Sequence, residues 1–119
     1  MNKSLLTACL CLLSLSACDL TQPSSFADVY RYDNSLQCQP FDKPASLAAM
    51  RMELIKAGID VVEANCGNDG MMRIALCDSP TGDLNIYRIH AQNLQDALAL
   101  GFGDLRELPA ARLVDCPQN

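Results

Sequence analysis

Apolar positions run along the chain in several distinct rhythms. From Leu5 to Leu15 they are nearly continuous, broken by Thr7 and Ser14. Asp28 to Asp33 (DVYRYD), with one valine and two tyrosines, predicts a short strand. Asn34 to Lys43 reads as a loop containing Cys38 and Pro40. Pro44 suits the opening of a helix, and Leu47, Met50, Leu54 and Ala57 then recur at helical spacing, with Arg51, Glu53 and Lys56 between them. Gly58 is placed to cap that helix. Ile59 to Cys66 (IDVVEANC) predicts a strand, Gly67 to Gly70 (GNDG) a turn, and Met71 to Cys77 (MMRIALC) the return strand of a hairpin. Asp78 to Asp83 predicts a second turn and Leu84 to Ile89 a further strand. Ala91 to Leu100 carries Leu94, Ala97 and Leu98 on one helical face. Gly101 ends that helix and Phe102 is positioned to pack back on its last turn. The rest, through Pro109 to Cys116, is loop, with Arg112 to Asp115 as a short strand candidate.

This order predicts an α+β fold, a small antiparallel sheet of about four strands with two helices on one face. A variant of the split β-α-β arrangement fits it. In that arrangement the ends of the first and second strands share one edge of the sheet, which favours Cys38 with Cys66 and leaves Cys77 for Cys116. The chain's 119 residues suffice for one domain. A domain so small gains from cross-links.

The first apolar run follows Met1-Asn2-Lys3, one positive charge and no acid, and so has the pattern of a secretory signal peptide. It is shorter than the roughly 20 residues a membrane-spanning helix needs. It ends in Leu15-Ser16-Ala17-Cys18, which resembles the lipobox of bacterial lipoproteins. The chemistry suits these residues: a thiol can be alkylated to a thioether bearing diacylglycerol, and small residues before it lie extended in a protease groove. The resemblance implies cleavage before Cys18, lipid on its sulfur and acylation of its freed amine. One acyl chain binds a bilayer marginally and two or more bind stably, which makes the implied anchor firm. Asp19 resembles the signal that retains such lipoproteins in the inner membrane, facing the periplasm. The expected organisation is a signal peptide over 1–17, a lipidated tether over 18–27 reaching roughly 30 Å when extended, and one domain over 28–119.

Of the seven cysteines, Cys9 and Cys11 would leave with the signal peptide and Cys18 would carry lipid. Cys38, Cys66, Cys77 and Cys116 remain, an even set that predicts two disulfides in an exported domain. The close Cys-x-x-Cys pairs of zinc and redox sites are missing, so no metal site is expected. The mature chain has eight basic and fourteen acidic residues, net −6, without the basic patch that nucleic acid requires.

Candidate chemistry is sparse. His90 is the one histidine and the one side chain expected to titrate near neutrality, and it falls at a strand-to-helix junction. Serine-hydrolase, phosphate-loop and paired-histidine metal motifs are missing from the sequence. Asp69, Asp78 and Asp83 lack EF-hand spacing and fit turns. Tyr30 with Tyr32, and Met71 with Met72, suit either packing or contact with a partner.

The expected role is therefore a non-catalytic, protein-binding or structural lipoprotein of the cell envelope, without a cofactor. A periplasmic inhibitor or immunity protein for a basic enzyme or toxin is the first alternative, on the strength of the acidic charge. Known lysozyme-inhibitor lipoproteins resemble β-barrels, and the two helical patterns depart from that. A small enzyme using His90 or an acidic pair is the second alternative. The run from Leu47 through Asn85-Ile86-Tyr87, with its Cys66-Gly67-Asn68-Asp69-Gly70 and Leu76-Cys77, resembles small cysteine-containing exported proteins of proteobacteria. That likeness supports the domain boundaries and adds nothing on mechanism.

Overall fold

The computed structural model describes residues 25–117. Strand β1 (Phe26–Tyr32) leads to helix α1 (Lys43–Lys56), then to strands β2 (Val61–Asn68) and β3 (Asp83–His90). A 3-10 turn at Ala91–Asn93 opens helix α2 (Leu94–Ala99), and the short strands β4 (Gly103–Asp104) and β5 (Arg112–Val114) follow. The sheet order is β4-β1-β3-β2-β5, with every neighbour antiparallel. The fold is thus α+β, with five strands where about four were predicted. β1 also begins two residues earlier than the predicted domain start, inside the predicted tether.

Local chemistry sets both helices. The Asp42 side chain accepts a hydrogen bond from Ala45 N at 3.0 Å and caps α1, with Pro44 in the first turn. At the other end Gly58 takes φ +84°, and Ile59 N donates to Leu54 O at 3.0 Å. Gly101 repeats the device after α2 with φ +94°, Phe102 N donating to Ala97 O at 3.2 Å. In each case the residue after the glycine and the carbonyl residue it bonds are both buried in the core, as the left-handed cap favours.

Val29, Leu54, Ile59, Tyr87, Ile89, Ala97 and Phe102 form that core, which both helices share on one face of the sheet. Val29 and Ala64 flank Tyr87 in register. The Tyr87 hydroxyl donates to Leu47 O at 2.7 Å, and its burial raises its pKa. Arg31 joins the layers: its guanidinium lies 3.9 Å from the Phe102 ring centroid and bonds Glu53 of α1 and Leu100 O. Strand alternation places Tyr30 and Tyr32 on the opposite face, half-buried and edge-on at 5.8 Å.

Three expectations are corrected. Met71 to Cys77 is not a strand. β2 runs on through Gly67 and Asn68, and β3 pairs its inner edge, so residues 69–82 form one long loop. The predicted turn at Gly67 to Gly70 accordingly begins only after Asn68. The disulfides join Cys38 to Cys77 and Cys66 to Cys116, instead of Cys38 to Cys66 and Cys77 to Cys116. β5 is the reason: it pairs beside β2 with Val114 opposite Cys66, which brings Cys116 within reach. Cys77, carried on the long loop, meets Cys38 in the connection from β1 to α1.

Candidate functional site

Chain polarity gives the sheet two unlike ends. β1 starts at the end where Phe26 faces His90 and Ala27 faces Ile89, itself paired with Val61. The opposite end, where Tyr32 faces Leu84 and Asn68 faces Asp83, carries loops 33–42 and 69–82 and the start of β5 at Arg112.

Loop 69–82 turns apolar side chains outward. Met72 is fully exposed, Ile74 is 74% exposed, Met71 61% and Leu76 55%. Apolar groups left in water need a reason, and a contiguous set of them marks a contact surface. The loop is also held. The Asp69 carboxylate, with no side-chain exposure, accepts two bonds from Arg73 at 2.7 Å, one from the Tyr32 hydroxyl at 3.0 Å and one from Met71 N at 3.0 Å. Arg73 foremost holds Asp69 down to a pKa of about 2, against the opposing effect of burial. Further on, the Gln37 amide donates to Ile74 O at 3.2 Å and accepts from Leu76 N at 3.1 Å. The Cys38–Cys77 bridge then closes the loop onto the same neighbour.

Beside this loop lies a cavity of about 300 Å³. Its floor holds a buried ion pair: Lys43 Nζ donates to Asp33 Oδ2 at 2.8 Å and to Leu84 O at 2.9 Å. Asp33 Oδ1 also accepts from Ser35 N at 2.8 Å. Leu36, Phe41 and Val114 supply apolar wall, and Asp83 and Asp115 supply carboxylates.

The residues singled out in the sequence scatter across this frame. His90 ends β3 at the far end from the cavity, its ring 5.4 Å from Phe26. Its side chain makes no hydrogen bond or ion pair among the described residues. Asp69 is spent on Arg73 and Tyr32. Asp78 accepts from Gln39, and Asp83 from Asn68 at 3.0 Å. No cluster of three metal-ligating side chains forms among the described residues. Met71 and Met72 are exposed, not packed. The signal peptide over 1–17, Cys18 and Asp19 lie outside the described residues.

The sequence reading missed Lys43 with Asp33, and Gln37. Only one signal in the chain pointed to them: Asp33 and Lys43 bracket a loop between a strand and a proline-led helix, two charges at element ends. Comparison of the chain with protein-family models, with curated proteins and with solved structures returned no match.

Proposed function

We propose that this chain is a membrane-anchored lipoprotein of the bacterial cell envelope. In this reading Cys18 carries the lipid, and the domain binds a protein partner without catalysing a reaction. Asp19 tilts the location toward the inner membrane, facing the periplasm. The observation that carries the binding role is the held, outward-facing apolar run from Met71 to Leu76. An exposed apolar segment fixed at both ends loses little entropy on docking. The lipobox-like residues 15–18 and the two disulfides support export.

Two measurements test this. Metabolic labelling with a fatty-acid analogue should mark the chain, and Cys18→Ala should abolish both label and membrane fractionation. Retention of both in the variant would refute the anchor. A photo-crosslinker at Met72 should give one dominant, saturable protein adduct in intact cells, while the same group at Lys56 gives none. Equal adducts at the two positions would remove the binding role from the loop.

The acidic charge favours one narrower reading, a periplasmic inhibitor or immunity protein that masks a basic enzyme or toxin.

A further inference from the structure

We propose that the cavity beside loop 71–76 receives a basic side chain, arginine or lysine, presented by the protein partner that the loop contacts. This rests on the protein-binding reading above and adds the chemistry of the partner.

Charge comes first. The cavity is lined by three carboxylates, Asp33, Asp83 and Asp115, and one ammonium, Lys43. Asp33 and Lys43 are only 1% and 8% exposed and satisfy each other. Asp83 and Asp115 remain, and Arg73, the cation near Asp83, is itself paired with Asp69. Asp83 is bonded by the neutral amide of Asn68 at 3.0 Å. Asp115 has no hydrogen bond or ion pair among the described residues. A cation entering here meets net negative charge, carried by the half-buried Asp83 and the exposed Asp115.

Shape agrees. About 300 Å³ lies at the lower limit for small-molecule sites and suits one long side chain. Leu36, Phe41 and Val114 match the alkyl stem of arginine or lysine, which packs on apolar surface while its head group stays polar. Phe41 adds an aromatic ring to the wall, a favourable neighbour for a cation.

Position agrees too. Leu36, Gln39 and Phe41 line the cavity, and Gln37 and Cys38, interleaved with them, hold loop residues 74–77. Apolar prong and acidic recess therefore share one support. Both lie at the end of the sheet away from the start of β1, through which the chain continues toward Cys18.

The test uses the full chain, isotope-labelled and held in detergent micelles. N-acetyl-arginine methylamide, its neutral norleucine counterpart and spermidine are titrated in turn and followed by NMR. The arginine probe should bind saturably in the millimolar range. It should shift the amides of Ser35 to Lys43, Thr81 to Asp83 and Val114 to Asp115, and the norleucine probe should not. Asp115→Asn and Asp83→Asn should each weaken binding several-fold, and the exposed position of Asp115 keeps at least that variant folded. Equal shifts with norleucine, shifts confined to Asp28 and Glu63, or no shifts would overturn the proposal. Spermidine binding tenfold tighter than the arginine probe would also overturn it, in favour of a free polyamine. The Met72 crosslink separates the failures: an adduct without arginine binding retains the protein-binding role and removes the cavity from it.

Discussion

Asp69 holds the far end of the domain together through one carboxylate, which bonds Arg73 twice, Tyr32 and the backbone of Met71. Its pKa is lowered from 3.8 to about 2, so folding favours the ionised form. The resulting stability is present above the unfolded carboxylate range and is lost as pH falls from about 4 through 2. Asp69→Asn should cost roughly 2 kcal/mol at pH 7, and denaturant titrations at falling pH should show that cost shrinking toward zero by pH 2. A cost independent of pH would mean that packing and not charge is at work. The buried Lys43–Asp33 pair predicts a different signature. Lys43→Met strands Asp33 without a counter-charge and should cost about 3–5 kcal/mol, whereas Lys43→Met with Asp33→Leu should regain most of it. Denaturation midpoints of the single and double variants decide this.

Among elements, the ones set by neighbours in sequence are the ones the sequence discloses. Gly58 and Gly101 end their helices because the residue after each glycine folds back onto the last turn, a pattern visible within a few residues. The strand expected over Met71 to Cys77 fails for a nonlocal reason. Its apolar residues suit a strand that has a partner, but β3 already occupies the inner edge of β2, and β5 the outer edge beside Cys66. The disulfide pairing followed the same error, since only the placing of β5 reveals that Cys116 belongs with Cys66. The site was legible in part: Met71 and Met72 stand out as an apolar pair beside a turn. Gln37 and Lys43 gain their roles from partners distant in sequence, which periodicity does not register. One prediction belongs here. Removing the Cys38–Cys77 bridge as a Cys→Ser pair should cost about 4 kcal/mol on the chain-entropy account. It should also release the Leu76 amide to hydrogen exchange well before the amides that pair β1 with β3. Equal protection of Leu76 with and without the bridge would show that Gln37 alone holds the loop.

For the whole molecule, charge and polarity act together. An acidic domain should bind a basic partner faster at low salt, because screening shortens the reach of the attraction. Stopped-flow association with a basic partner captured by the Met72 crosslink should therefore slow as salt rises from about 0.01 to 0.15 M, over which the Debye length falls from about 30 to 8 Å. A rate indifferent to salt would leave the charge without a role in encounter. The chain's path carries one further consequence, a mechanical one. β1 lies between β4 and β3, and it faces β3 in seven antiparallel pairs. A pull between Phe26 and the loop around Met72 runs along the β1 backbone and residues 33–37 to Cys38, and crosses the Cys38–Cys77 bridge into the loop. That path is covalent throughout, so the β1–β3 pairs are spared the load while the bridge is intact. At the loaded end the Cys38–Cys77 bridge passes tension covalently from loop to loop. On the proposed reading, with lipid before Phe26 and a partner at the loop, the domain is a covalently braced link, and reduction of the bridge would transfer the load to the β1–β3 hydrogen bonds.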